Sequence, residues 1–308
     1  MQRSDSMAWS VPSAVVIANP HAGGGHARRR ALDSSRMLSD LGIETRLVLP
    51  GSLPDMRRVI DEECAKNPDV VIACGGDGTV HQVLQAAVRH AVTMAVIPAG
   101  TGNDIARSLG ISSKATVPWV TRLAALIREG GVTRVDLSRI THGDRQVWSL
   151  GVISAGFDSA VNERADRMTR LPGTPRYIAA LLAELGSFRM HDYEVTIDGV
   201  MRSGRALLIA VGNGESYGGG MRICPSADMT DGLLDVTWID SAPRRTVLRV
   251  FPRIFSGRHV EHPLVRTYRA REITISSPGA EVYADGERVG APPVRIEAVP
   301  GALGILRP

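Results

Sequence analysis

The sequence predicts an α/β protein in two parts: a doubly wound, Rossmann-like sheet domain followed by a β-rich, sandwich-like domain. Three observations carry this expectation. The first third alternates short apolar runs with helix-period segments, the order of repeated βαβ units. Three of those runs end in glycine-bearing loops, and an open parallel sheet takes its ligands at the carboxyl ends of its strands. Beyond about residue 131, short β-like runs follow one another at the spacing of a sandwich or barrel. At 308 residues the chain is long enough for two cores.

In order, strands are expected at residues 14–18, 43–49, 70–74 and 94–98, and helices at 26–41, 54–66, 80–90 and 117–129. The second part carries β-like runs at 132–140, 146–154, 193–197, 206–212, 234–238, 272–276, 280–284 and 294–298, with helical insertions at 157–168, 175–188 and 244–255. The expected division is 1–132 for the first domain and 133–298 for the second. Residues 299–308 return to complete the first.

Composition narrows the function classes. Hydrophobic residues make up 44% of the chain, as in an ordered globular protein, and the formal charge is +4. Lys66 and Lys114 are its two lysines, so nearly all the positive charge is arginine, which suits bidentate phosphate contacts and anionic surfaces. Aromatics are 4% and no basic run is interleaved with them, which argues against nucleic-acid binding. Cys64, Cys74 and Cys224 lack any paired spacing and point to a reducing compartment. Residues 1–10 have no apolar centre and do not read as a signal peptide. The apolar runs, such as 91–97, fall short of the roughly 18 residues that span a bilayer, so any membrane contact is expected to be peripheral.

The densest chemical signal is Gly75-Gly76-Asp77-Gly78-Thr79, directly after a buried-strand pattern. Glycines there let a phosphate approach backbone N–H groups at a strand-to-helix turn. Asp77 repels phosphate unless a bridging Mg²⁺, a water network or a proton intervenes. Neither the P-loop pattern nor G-x-G-x-x-G is present, and a tight structural turn is the plain alternative. Two further strand-end segments, Asn19 with Gly23 and Gly100 to Asn103, sit at matching positions and favour a shared ligand crevice. Asp285-Gly286-Glu287 reads by spacing as a hairpin turn. Asp228 to Leu233 reads as an acidic surface turn. Residues 244–255 place apolar side chains on one face and Arg245, Arg249 and Arg253 on another, so the segment either packs on the second domain or lies on anionic lipid. Residues 175–188, rich in leucine and alanine, are a second candidate wall for a lipid pocket.

With these motifs in order, the chain resembles the diacylglycerol kinase catalytic-domain family, bacterial lipid kinases related to sphingosine and ceramide kinases. The resemblance rests on Asn19-Pro20 with Gly23 and Gly25, on Gly75 to Thr79, and on Ile97 to Asp104. It continues through Ser154 to Asp158, Gly218 to Met221, Pro225 with Ala227, Asp231 to Val236, and Asp285 to Glu287. It implies an active site in the cleft between a nucleotide domain and a β-rich domain, with ATP and Mg²⁺ as cofactors. By position, Asn19, Gly75, Gly76, Asp77, Gly78, Thr79, Val80, His81, Gly100, Thr101 and Asn103 would hold ATP, with Asp77 in the Mg²⁺ and water network. Asp285 would be the general base, Glu287 a further Mg²⁺ contact, and Asp104 a helix cap. A separate structural Mg²⁺ would be held by Asp228, Asp231 and the carbonyl of Leu233. One departure is Pro50, where the family often places a nucleotide-contacting threonine.

The expectation from the resemblance is an ATP-dependent kinase acting on a glycerolipid hydroxyl, diacylglycerol to phosphatidic acid first, in phospholipid biosynthesis. It would be cytoplasmic and peripheral at the inner membrane face. Sphingoid base, phosphatidylglycerol or NAD remain alternative acceptors, and a nucleotide- or lipid-binding regulator without catalysis is the alternative of another class. Oligomeric state is left open, a homodimer included.

Overall fold

The computed structural model describes residues 11–20, 25–156 and 190–308. Gly23 and the expected helical segments at 157–168 and 175–188 lie outside the described residues, as do Phe157 and Asp158.

The first part comprises β1 (Ser13–Ala18), α1 (His26–Asp40), β2 (Glu44–Val48), α2 (Leu53–Ala65), β3 (Val70–Gly75), α3 (Asp77–Arg89), β4 (Met94–Pro98), α4 (Asp104–Ser108) and α5 (Thr116–Glu129). Strands β2, β1, β3 and β4 lie side by side in that order and are all parallel. Helices cover both faces, so β3 and β4 are buried at every position and read as continuous apolar runs. Serine at position 52 caps α2 by accepting from the Asp55 N–H, and Pro54 fits the first turn, where its missing N–H costs nothing.

The second part begins with β5 (Thr133–His142), β6 (Arg145–Ser149), β7 (Val152–Gly156), β8 (His191–Ile197), β9 (Val200–Gly212) and β10 (Leu234–Asp240). Helix α6 (Arg244–Val250) and 3₁₀ turns at Phe251–Ser256 and Arg258–Glu261 follow. It closes with β11 (Val265–Ala270), β12 (Glu272–Ser276), β13 (Val282–Ala284), β14 (Glu287–Gly290) and β15 (Val294–Leu306). Here every pairing is antiparallel, and Ile153, Tyr193, Ile209, Val236, Trp238, Ile273 and Ile296 belong to one enclosed core. Helix α6 ends where Pro252 would have broken the α-helical ladder, and the chain continues as a 3₁₀ turn.

The two parts are joined through one strand pair. The chain leaves the first sheet on β5 and returns on β15, which pairs antiparallel with β5 from Arg295–Thr141 to Ile305–Thr133. The end of β15 then adds to the parallel sheet, with Ile305 opposite Met94 and Leu306 opposite Ala95. Residues 303–306 therefore do return to the first sheet. A second tie runs from α3: the Gln85 amide donates to the Trp148 carbonyl at 2.8 Å and accepts from the Trp148 N–H at 3.0 Å. One side chain thus completes both backbone groups of a β6 residue.

Three departures from the sequence expectation bear on the site. Helix α3 starts at Asp77 rather than Val80, so Asp77, Gly78 and Thr79 form its first turn and not a free loop. The run 146–154 is two strands parted at Leu150 and Gly151, whose N–H groups turn toward Asp285. Strand β11, a polar edge strand, and β14, the short arm of a hairpin, give weak periodic signals.

Replacing Gln85 with alanine leaves two Trp148 backbone groups without their partner. We expect a loss of about 1–3 kcal/mol in unfolding free energy by denaturant titration. A change within about 0.5 kcal/mol, the ordinary range for surface positions, would show that the tie is dispensable.

Candidate active site

A cleft of about 450 Å³ opens at the carboxyl ends of β1, β3 and β4. Asn19 follows β1, Gly76 to Thr79 follow β3, and Gly100 to Gly102 follow β4; all line it, together with Gln82 of α3. Leu53 and Met56 supply an apolar side, while Pro50, without a hydroxyl, is buried nearby in sequence after β2. From the second part Glu287 reaches the same cleft.

Close backbone approach explains the glycines. A Cβ on Gly76 would stand 3.1 Å from the Gly100 Cα, and one on Gly100 would strike the Gly76 backbone. The β3 and β4 loops therefore meet backbone to backbone. Asn103, in a left-handed conformation at φ 52°, locks the contact by accepting from the Gly100 N–H at 2.9 Å and donating to the Gly100 carbonyl at 2.8 Å. At α3 no side chain caps the helix, and its first intrahelical bond is Val80 N–H to Gly76 carbonyl at 3.1 Å. The preceding first-turn N–H groups are the orphan donors of a helix N-terminus, where anionic oxygen is favoured.

Carboxylates crowd this edge. Asp77 Oδ1 accepts from the Ile105 N–H at 3.0 Å, so a residue in the first turn of α3 satisfies the start of α4. Asp104 does not cap that helix; Asn103 occupies the cap position, and Asp104 faces elsewhere. It takes a hydrogen bond from the Gly219 N–H at 2.6 Å and one from the Ser216 hydroxyl at 3.3 Å, and pairs with Arg107. That is the work of the Gly218–Gly220 segment: it ties the second part to the first through Asp104. Burial, then the Asp104 charge, push the Asp77 carboxyl up to about 6, with the Asp285 charge adding to the rise and backbone N–H bonds opposing it.

Asp285 and Gly286 form the two-residue loop of the β13–β14 hairpin, with φ 53° and 85°. The turn reading and the site reading therefore describe the same residues. The Asp285 side chain is fully buried, and its Oδ1 accepts from the Ser149 hydroxyl at 2.8 Å and the Gly151 N–H at 2.9 Å. Its Oδ2 accepts from the Leu150 N–H at 3.3 Å and lies 3.0 Å from His81 Nδ1. A Cβ at Gly151 would come within 2.8 Å of that carboxylate, which explains the glycine between β6 and β7.

The structure thus brings Asn19, Gly76, Asp77, Gly78, Thr79, Gly100, Thr101 and Glu287 to one cleft, with Gly75 and Asn103 shaping it. Val80 is buried in α3, and His81 faces Asp285 without lining the cleft. Asp228, Asp231 and Leu233 share one turn. Asp228 accepts from Thr230 within its own turn, while Asp231 is ion-paired with Arg269 and takes the Leu233 N–H at 2.9 Å. Among the described residues no three His, Cys, Asp or Glu side chains converge as metal ligands. The Arg269 guanidinium pairs with Asp231 in this arrangement. Sequence reasoning missed Asp136, which accepts from the Gly232 N–H at 2.6 Å and the Gly301 N–H at 2.8 Å and so holds the Asp231-Gly232 turn against β15. It also missed Ser149. Polar residues at inward strand positions, 136 and 149, were the available signal.

A polar cleft at the carboxyl edge of a parallel sheet, reached by Glu287 of a β-rich part, is where an open α/β sheet takes its ligand. Comparison with known proteins gives the family. Residues 13–140 match the model of the diacylglycerol kinase catalytic domain, and 151–307 match that of the YegS C-terminal NAD kinase beta sandwich-like domain. A protein named diacylglycerol kinase from Mycobacterium tuberculosis (strain ATCC 25618 / H37Rv) is 39% identical over 96% of this chain and 94% of its own. One named "Probable lipid kinase YegS-like", from Stenotrophomonas maltophilia (strain K279a), is 28% identical over 96% of both. The crystal structure of a diacylglycerol kinase from Bacillus anthracis str. Sterne superposes with a TM-score of 0.70 at 21% identity, covering 96% of this chain and 97% of that one. This chain belongs to the diacylglycerol kinase catalytic-domain family and is a lipid kinase.

The raised Asp77 carboxyl predicts a pH signature. A carboxyl whose folded value lies above its ordinary 3.8 favours folding fully below that value and loses this contribution as pH rises through about 6. Asp77→Asn keeps the acceptor for Ile105 and removes the buried charge. Relative to the parent it should gain on the order of 2 kcal/mol in unfolding free energy near neutral pH, shrinking toward zero by about pH 4. A variant equally destabilised at both pH values would contradict the assignment.

Proposed function

We propose that this lipid kinase transfers the γ-phosphoryl group of MgATP to the hydroxyl of diacylglycerol, yielding phosphatidic acid. The carrying observation is the cleft itself: orphan N–H groups and glycine-lined backbone on one side, with Glu287 and the buried Asp285 approaching from the other. The 39% identical relative named diacylglycerol kinase supports the choice of acceptor.

In this reading MgATP is the donor substrate. The first turn of α3 and the Gly76–Gly100 contact receive its phosphates, and Asn19 and Thr101 border the same space. Mg²⁺ arriving with the nucleotide offsets the negative charge of Asp77, which burial otherwise disfavours. Positioning and charge neutralisation then supply most of the rate, as in phosphoryl transfer generally. Asp285 is the proposed base for the lipid hydroxyl. To act, it exchanges one of its present donors for that hydroxyl, and the Leu150 N–H at 3.3 Å is the longest of them. His81 and Ser149 keep the carboxylate aimed during the exchange. The acceptor is presented at the membrane surface; among the described residues no helix is long and apolar enough to cross a bilayer.

Incubation with γ-labelled ATP, Mg²⁺ and mixed micelles of diacylglycerol, phosphatidylglycerol or sphingosine, with NAD in parallel, tests the acceptor. Label should enter phosphatidic acid. Label in NAD and in no lipid would overturn the reading. Asp285→Asn should lower turnover by about 10²–10⁴-fold while calorimetric ATP affinity persists. Unimpaired turnover would remove Asp285 as base.

A further inference from the structure

Among the described residues, a basic segment stands outside the site. Residues 241–260 contain five arginines, 244, 245, 249, 253 and 258, and no aspartate or glutamate. Their charge alone exceeds the +4 of the whole chain. Arg258 pairs with Glu261, but Arg245, Arg249 and Arg253 are exposed and have no ion pair among the described residues. Arg139, Arg222, Arg266, Arg269 and Arg295 of this same part are matched to carboxylates, and exposed Arg145, Arg205 and Arg271 are scattered singly rather than grouped.

The segment is also two-faced in an uncommon way. Its inward side chains, Val247, Val250, Phe251 and Ile254, border an apolar pocket against Leu207 and Leu208 of β9. Nothing in α6 is buried; Leu248 at 49% and Phe255 at 38% exposure stay open to solvent, the Phe255 ring edge-on to Phe251. An ordinary surface helix turns its large apolar residues inward; this segment leaves two of them accessible beside its arginines.

Its position links it to the site. The Arg222 N–H donates to the Ile254 carbonyl at 3.1 Å, and Tyr217 bridges Met221 to close the loop that holds Gly218–Gly220. The Gly219 N–H of that loop binds Asp104, whose charge raises the Asp77 carboxyl at the cleft. The basic face and the cleft are thus consecutive parts of one hydrogen-bonded structure.

We propose that α6 and the following 3₁₀ turn are the surface by which this protein docks on an anionic phospholipid bilayer. Arg245, Arg249 and Arg253 meet lipid phosphates while Leu248 and Phe255 enter the headgroup–acyl boundary. The proposal rests on the reading that the acceptor lipid is taken from a bilayer. Positive charge alone would equally suit a nucleic-acid backbone, but the accessible leucine and phenylalanine match the interfacial pattern of basic and apolar residues together.

The test is sedimentation of the full chain, without ATP, with vesicles of phosphatidylcholine alone or mixed with phosphatidylglycerol. Binding should require phosphatidylglycerol and weaken as salt is raised. The triple variant R245E/R249E/R253E should lose roughly a hundredfold in vesicle affinity, about fivefold for each arginine. The double variant L248S/F255S should also lose affinity. Both should phosphorylate a dispersed short-chain diacylglycerol as well as the parent does. Parent binding that ignores salt and phosphatidylglycerol overturns the proposal without any variant, as do variants that sediment like the parent. So does a vesicle-free dimer that L248S/F255S dissociates, or duplex DNA binding as tight as vesicle binding and lost in the triple variant. If the parent docks as described yet phosphorylates no dispersed diacylglycerol, the docking surface stands and the acceptor assignment falls.

Discussion

A buried, ionisable carboxyl group is costly unless donors surround it, and the arrangement of this molecule around Asp285 answers that constraint. The carboxylate comes from a hairpin of the second part. Its donors come from the break between β6 and β7 and from His81 on α3 of the first. One turn further along α3, Gln85 fixes Trp148 on β6, the strand that carries Ser149. The same helix face therefore holds both the carboxylate and the strand that supplies its donors. Shifting α3 would leave charged and polar groups unpaired, which is why the relation between the two parts is over-determined.

The opposite side of the cleft follows a related logic with a different outcome. Asp77, Asp104 and Asp285 lie close enough for their charges to be felt together at Asp77. Asp104 is offset by Arg107 and the Gly219 N–H, and Asp285 is saturated by its donors. Burial and the neighbouring negative charges push Asp77 toward neutrality against two backbone N–H bonds. In a site proposed to receive MgATP, a carboxylate short of positive charge beside orphan N–H groups provides attraction for both the ion and the phosphates. The glycines set the distances: a side chain at Gly100 would drive into the Gly76 backbone, and one at Gly76 would crowd the Gly100 Cα at 3.1 Å.

Much of this was legible in the sequence because strand burial and tight turns are local signals. The runs at 70–74 and 94–98 announced β3 and β4, and Asp285-Gly286 announced a left-handed two-residue turn. What could not be read was long-range pairing. Nothing near His81 indicates that its partner stands at 285, and nothing in the run 146–154 marks the break at Gly151 except the need to receive that carboxylate. The role of Gly218–Gly220 became intelligible through Asp104, more than a hundred positions earlier. The Asp228–Leu233 segment read locally as an acidic turn, and its ties to Arg269 on another strand and to Asp136 could not be read from it. Polar residues acting at a distance leave a weak local signature, since their meaning lies in the partner.

His81 faces the second part's carboxylate and stands outside the lining of the cleft. Steady-state kinetics of His81→Ala with ATP as the varied substrate tests most directly whether it aims Asp285. If His81 aims Asp285, kcat falls by about tenfold or more while KM for ATP stays near the parent value. A raised KM for ATP at unchanged kcat would instead place His81 on the nucleotide.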